Sequence, residues 1–284
     1  MAITVATQKI WHKAYEHALK DITSLRNHCD FKYEKDAKGA DTVYILNAVR
    51  PTVRTYVPGT AITRDAVDAT RLQLDLDQFK YFNIEMDDVY KAQTVPGALE
   101  ASAQEGAQAL ALAGDQYVAS IIKTQAQAQT NPLMSTTRVT PSKANAVDTI
   151  EEAFAMLYAK NNRPNDNYWL EVAPSFYKFV RPNMIELLTN NVELAKNGAV
   201  GKYANAYVAI DNSLPTYRNA SGTGDDDTVL NVLRTTHAIA FAEQIKETET
   251  YRVQDGFSDA IKSLYVFGAK IVRPDEIVVI PTAI

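Results

Sequence analysis

The segment VPGALEASAQEGAQALALAGDQYVASIIKTQAQAQTNP, residues 95–132, decides how the rest of the chain is read. Pro96 stands where a helix can begin without losing a hydrogen bond, and Asn131-Pro132 ends the run. The bracketed stretch of about thirty residues would form a helix about 50 Å long at 1.5 Å per residue. Leu99, Ala103, Gly106, Leu110, Ala113, Tyr117 and Ile121 recur at steps of three and four, with Gln, Ser and Glu between them. That pattern gives one thin apolar seam built largely of small side chains, which admit another layer at close range. A helix of this kind reads as a beam laid across a sheet rather than as the wall of a catalytic pocket. An ordinary long core helix fits the stretch equally well when it is taken alone.

Upstream the period drops from near four to two. TVYIL (42–46) and TVRTYV (52–57) are β-rich, and RLQLDLDQF (71–79) alternates Leu72, Leu74 and Leu76 against Gln73, Asp75 and Asp77. The spacing predicts a long antiparallel hairpin with arms Thr42 to Val57 and Arg71 to Met86 and a polar tip around GTAITRDAVDAT (59–70). A lone two-stranded ribbon is only marginally stable in water, so it must rest on its own chain or on another. The first forty residues read as an arm. Ile10, Ala14, Ala18 and Ile22, with Trp11, Tyr15 and Leu19 beside them, make a short amphipathic helix, and FKYEKDAKGAD (31–41) follows as a charged linker.

Downstream of the long helix the elements alternate. NAVDTIEEAFAMLYAKN (145–161) predicts a helix with Val147, Ile150, Phe154, Leu157 and Tyr158 on one face, and YWLEVAP (168–174) predicts a strand. PSFYKFVRPNMIELLTNN (174–191) reads as a helical stretch interrupted by Pro182, and NGAVGKYANAYVAIDNSLP (197–215) as turn, strand and turn. YRNASGTGDDDT (217–228) is an exposed loop, TVLNVLRTTHAIAFAEQI (228–245) carries two β-rich stretches, and Tyr251 to Ile284 is strand-rich. The fold class is α+β, and no internal repeat is visible.

Composition excludes several function classes. With 284 residues, 46% hydrophobic and 22% charged, the chain can bury one large core or two modest ones. A net charge of −5 argues against a surface that is everywhere an electrostatic trap for nucleic acid, though a local basic face remains compatible with it. The lone Cys29 cannot close an intramolecular bridge, and MAITVATQKIWHKAYEHALK lacks a signal-peptide pattern, so an intracellular, reducing origin is expected. No apolar run approaches the roughly 20 residues that span a bilayer.

Candidate chemistry is sparse. His12, His17, His28 and His237 lack the carboxylate or thiolate spacing of a closed metal site. ASGTG (220–224) sits in a polar loop rather than at a nucleophile elbow, and Asp225-Asp226-Asp227 lacks the alternate spacing that points oxygens at one calcium ion. NGAVGK (197–202) departs from the phosphate-loop order. Glu85 with Asp87 and Asp88 could be imagined as an acid and a base, but adjacent carboxylates point apart and a strand end in water accounts for them better. No catalytic residue, metal or cofactor is expected, and the chain is not expected to be an enzyme.

The order of parts (arm, extended hairpin, long helix, mixed α/β region, closing strands) resembles that of tailed-bacteriophage major capsid proteins of the Hong Kong 97 type. KGADTVYI (38–45) is similar to the start of that family's extended loop, and LDLDQFKYFNIEMDDVYKAQT (74–94) to its exit into the peripheral domain. GALEASAQEGAQALALAGDQYVASII (97–122) is similar to its spine helix, with an aspartate near the end. YWLEVAPSFYKFV (168–180), NGAVGKYANAYVAIDNSLP and HAIAFAEQIKETETYRVQDGFSDAIKSLYVFGAKIVRP (237–274) resemble its axial-domain and closing segments. The likeness covers the chain from about Lys38 to the end.

The resemblance implies an N-terminal arm over 1–40, an extended loop over 41–86 and a peripheral domain with the spine helix over 87–140. An axial domain over 141–250 and closing strands over 251–284, shared by the two domains, complete it. It implies a structural protein that assembles as hexamers and pentamers of itself into an icosahedral or prolate shell around double-stranded DNA, bound without sequence specificity. A portal protein would be a partner, no membrane would be involved, and the location would be the virion after assembly in the host cytoplasm. Many members begin with a long cleaved scaffolding segment, whereas here the first hairpin strand starts at Thr42, so a separate scaffolding protein is expected. Some members cross-link through a lysine in the extended loop; Thr42 to Phe79 contains no lysine.

Val53, Arg54, Tyr56 and Val57, with Arg50 and Arg64, are the expected subunit-interface residues, because the hairpin's two strands cannot cover them. Lys9, Lys13, Lys20 and Arg26 in the arm are the expected DNA-proximal residues of the inner face. An encapsulin-like compartment around an enzyme cargo is the alternative within the same fold, and a soluble hydrolase using an acidic residue is the alternative outside it.

Overall fold

The structure is a computed structural model of the full chain. It describes residues 25–35, 37, 41–47, 53–56, 58–61, 70–88, 98–128, 131, 133, 138–160, 168–183, 185–186, 199–217 and 227–284. The expected amphipathic helix around Ile10 to Ile22 lies outside them.

Three sheets and two long helices organise the described residues. Strands β1 (Thr42–Asn47) and β2 (Thr70–Asp75) form an antiparallel hairpin in which Thr42 faces Asp75 and Asn47 faces Thr70. Strand β3 (Gln78–Asp87) leaves that hairpin after Leu76-Asp77 and pairs instead with β11 (Ser258–Ile271). β11 in turn pairs with β10 (Ile239–Arg252), giving the order β10-β11-β3. The expected second arm, Arg71 to Met86, is therefore two strands in two sheets. No glycine or proline separates the two strands, so the sequence carries no turn signal at the bend. Of the expected first arm, Thr42–Asn47 is strand, and residues 53–56 belong to no helix or strand.

Helix α1 (Ala98–Ala128, 31 residues) lies across β3 and β11, as the opening segment predicts. Its seam is rotated from the predicted one. Ala107, Leu110, Ala111, Val118, Ala119, Ile122 and Ala126 are buried, while Ala103, Gly106, Ala113, Tyr117 and Ile121 sit at its margin. Two overlapping stripes of small residues wind round this helix. The sheet selects the one carrying Val118 and Ile122, which bury more apolar area than alanine does.

Strands β4 (Tyr168–Val172), β5 (Ile185–Glu186), β6 (Ala199–Tyr203), β7 (Ala206–Ile210), β9 (Thr228–Thr235) and β12 (Ile277–Ala283) form the third sheet in the order β12-β9-β4-β7-β6-β5, with β8 (Thr216–Tyr217) paired to β9. Strand β4 (Tyr168–Val172) runs parallel to β7 (Ala206–Ile210), and every other pairing is antiparallel. Helix α2 (Ala146–Ala159) packs Ile150, Ala153, Phe154 and Leu157 against this sheet beside β12 (Ile277–Ala283). Of the five positions predicted for that face, Ile150, Phe154 and Leu157 are buried, and Val147 and Tyr158 are partly exposed.

Two expectations fail locally. Helix α3 ends at Val180 (Pro174–Val180), a 3-10 turn holds Pro182, and Ile185–Glu186 then forms strand β5 rather than more helix. β6 (Ala199–Tyr203) and β7 make a tight hairpin where one strand was predicted. Its turn is hard to read because Ala204, rather than glycine, takes the left-handed conformation, with φ 46°. The strand β10 also runs through the expected boundary between residues 250 and 251.

Candidate subunit-contact surface

The hairpin is anchored at its root, and the described residues 53–56 and 58–61 beyond it are exposed. Val43 and Ile45 of β1, with Leu74 and Leu76, bury against Ala240, Ala242 and Val266 of the three-stranded sheet. The alternation of leucines with Gln73, Asp75 and Asp77 sends the apolar set to that sheet and the polar set outward. Polar bonds fix the root further: Thr42 Oγ1 and Gln73 Nε2 donate to Asp75 at 3.1 and 2.7 Å. Tyr117 of α1 donates to Asp77 Oδ1 at 3.0 Å. Partial burial and then that neighbouring carboxylate push the Tyr117 phenol up to about 12.

Past the root the picture changes. Val53 is 95% exposed and Tyr56 63% exposed, and Arg54 is exposed beside them. These three expected interface residues share one exposed stretch. Arg50, Val57 and Arg64 lie outside the described residues, as do Lys9, Lys13 and Lys20.

A second apolar surface lies on β3, and the sequence reading missed it. Phe82, Ile84 and Met86 turn towards α1, with Phe82 meeting Gly106, so the alternate residues Phe79 and Tyr81 face out at 61% and 76% exposure. Cross-strand neighbours on the outer face include Lys262, paired with Glu249 at 2.8 Å, and Tyr251, hydrogen-bonded to Asn83 at 2.9 Å. Among the described residues no strand pairs with the outer edge of β3. The signal was present in QFKYFNIEMD, whose aromatics fall on both faces where a strand with one solvated face would carry them on one.

Arg26 corrects an expectation. It is buried, not on a DNA-facing surface, and its Nη1 donates to Tyr265 at 2.7 Å and to Glu243 at 2.8 Å. Its backbone N–H donates to Asp115 of α1 at 2.8 Å, which gives the spine helix's aspartate a structural role. A guanidinium buried against a phenol and a carboxylate is not presented to a phosphate at the surface. Desolvation alone would weaken its charge, and these partners outweigh it, so Arg26 titrates above its ordinary range.

His28 and Asp227, considered as metal ligands, and Glu85 and Asp88, considered as an acid and a base, are engaged structurally. His28 Nδ1 lies 2.8 Å from Glu171 Oε1, its ring stacked on Trp169 with centroids 3.7 Å apart. Asp88 pairs with Arg252, Glu85 accepts from Ser258, and Asp227 pairs with Arg138 at 2.5 Å. Glu171 is fully buried: burial pushes its carboxyl up, and the Arg234 charge with His28 outweighs that, holding it below the usual carboxylate range. Cys29 is a buried free thiol that burial pushes up. Among the described residues no group of three His, Cys, Asp or Glu side chains is placed to hold a metal ion, and no helix is long and apolar enough to cross a membrane. A groove of about 270 Å³ between α2 and β12 is lined by Leu133, Val139, Met156 and Val278, with Thr149 and Glu152 as its polar residues. It presents no paired acid and base.

Comparison with solved structures places these features in a known architecture. A structure described as Mycobacterium phage Che8 is 28% identical, covers 91% of this chain and 90% of its own, and superposes with a TM-score of 0.69. The mature capsid of bacteriophage PhiM1 is 17% identical over 86% of this chain and 82% of its own, with a TM-score of 0.61. A virus-like particle from Pyrococcus furiosus is 11% identical over 96% and 99%, with a TM-score of 0.55. No protein-family model matches the chain, and no curated protein sequence is significantly similar to it.

Proposed function

We propose that this chain, which has the Hong Kong 97-type capsid fold shared with those phage structures, is a major capsid protein that forms the shell of a tailed phage or prophage. The fold match over nine-tenths of both chains carries the reading. The exposed apolar strips support it. Val53, Tyr56, Phe79 and Tyr81 would be liabilities on a solitary protein and become contacts when further copies cover them. A shell of many copies needs no single strong contact, because each subunit is held by several neighbours at high effective concentration.

In this reading hexamers and pentamers close into an icosahedral or prolate shell around double-stranded DNA, with a portal and a scaffolding protein as partners. Residues 1–40 are the arm, 41–86 the extended loop, 87–140 the peripheral domain, 141–250 the axial domain and 251–284 the closing strands. Val53, Arg54, Tyr56 and Val57, with Arg50 and Arg64, face an adjacent subunit. Lys9, Lys13 and Lys20 face the interior. The role is structural rather than enzymatic.

The likeness to the Pyrococcus furiosus particle keeps a second reading, a protein compartment around an enzyme cargo. Electron microscopy of particles purified from cells, with their contents analysed after nuclease treatment, separates the two. Closed shells holding protected double-stranded DNA are expected. Shells filled with a second protein would favour the compartment, and a chain that forms no shell under any condition, with or without a scaffolding partner, would overturn both.

A further inference from the structure

Residues 25–30 cross between the three-stranded sheet and the seven-stranded sheet, and side chains two positions apart fasten them to opposite sides. On one side Arg26 reaches Tyr265 of β11 and Glu243 of β10, and its N–H reaches Asp115 of α1, all between 2.7 and 2.8 Å. Tyr265 also donates to Glu243 at 2.8 Å, so the three side chains close a ring. On the other side His28 meets Glu171 of β4 and stacks on Trp169. Arg234 of β9 grips the same Glu171 with Nη2 at 2.6 Å and Nε at 3.0 Å, and also donates to the carbonyl of Leu25 at 2.7 Å. The far end is tied in by Asp30, whose N–H donates to Ile239 and whose carbonyl accepts from Phe241.

We propose that this segment is a two-headed latch that sets the angle between the halves of the subunit, with Arg26 as one head and His28 as the other. The halves also share apolar packing, in which Val118 and Ile122 of α1 belong to one cluster with Leu230 and Val232 of β9. Apolar packing is non-directional and tolerates sliding, whereas charge-assisted bonds of fixed geometry do not. The residues that could serve as mere adhesive are therefore the apolar ones, and the buried polar heads specify one orientation. Under the capsid reading, a subunit that must fit more than one position in a shell would change its angle by opening one head.

The test uses the full chain, unassembled, so its result does not depend on shell formation. Spin labels on Tyr81→Cys in β3 and Met156→Cys in α2, both exposed positions, report the distance between the halves, with buried Cys29 left in place. A single narrow distance is expected in this background. His28→Phe, which keeps the stacking on Trp169 and removes the bond to Glu171, should at least double the width of the distribution, with native circular dichroism retained. Arg26→Met should do the same, and the double variant should be no wider than either single one, because the latch is already open. Should Arg26→Met fail to fold, Tyr265→Phe, which removes one hydroxyl from that head, takes its place. Unchanged widths, or broadening from only one head, would overturn the latch, since the segment would then be a passive part of the core.

Discussion

Gly268 of β11 lies so close to Asp75 of β2 that a Cβ on it would stand 2.0 Å from the Asp75 carbonyl oxygen and 2.9 Å from the carbonyl carbon. The obstacle is backbone, which cannot swing aside as a side-chain end would. This crossing brings the hairpin root onto the three-stranded sheet, and only a residue without a side chain permits it. Gly268→Ala should therefore cost about 3 kcal/mol and lower Tm by roughly 6–12 °C. Gly114→Ala is the control. Its new Cβ would meet Arg26 at 3.5 Å, an ordinary contact, and the gain in helix propensity should stabilise by about 0.5–1 kcal/mol. Thermal unfolding of the two variants should move in opposite directions; a neutral Gly268→Ala would mean the crossing is looser than described.

Acid sensitivity should centre on Glu171. Its folded pKa is depressed, because Arg234 and His28 outweigh the burial that would raise it. On acidification the unfolded chain takes up the proton first, at about 4.3, so stability from this group is full above that pH and is lost as pH falls through the lower folded value. Glu171→Gln leaves Arg234 buried without its charge partner and should cost about 3 kcal/mol at neutral pH. Its denaturant midpoint should then fall less steeply between pH 5 and pH 3 than that of the parent chain. Parallel curves would show that the carboxylate is not held in this way.

Ala204 turns the β6–β7 hairpin at φ 46°, a conformation that strains any residue with a Cβ. Ala204→Gly should relieve it and raise stability by up to about 1 kcal/mol, less whatever glycine's extra freedom costs in the unfolded chain. A loss of stability on calorimetry would mean that the turn is not strained.

Tyr56 makes assembly separable from folding. Being 63% exposed, it contributes little to the subunit's own core. Tyr56→Asp should change the monomer's stability by no more than the ~0.5 kcal/mol typical of surface changes, yet sharply reduce particle yield in sedimentation, because the charge enters a repeated contact. Normal yield would remove Tyr56 from the contact, and an unfolded monomer would place it in an internal core.

Periodicity settled what local spacing can settle. The long helix between Pro96 and Pro132, the strand at Tyr168–Val172 and the apolar face of α2 were legible, because steps of two and of three to four residues are properties of a single segment. Which strands pair was not. No glycine or proline parts β3 from β2, and only the meeting with β11, some 180 positions later, takes β3 out of the hairpin. The fate of Arg26 was hidden for the same reason. Its side-chain partners stand 217 and 239 positions away, so a lysine- and arginine-bearing arm looked uniformly basic until the fold buried one of its charges. His28 and Glu171, 143 positions apart, likewise carry no mutual signal in the sequence. Spacing along a chain records which side chains share a face, whereas burial and ion pairing depend on what packs against that face, and that is fixed only when distant segments meet.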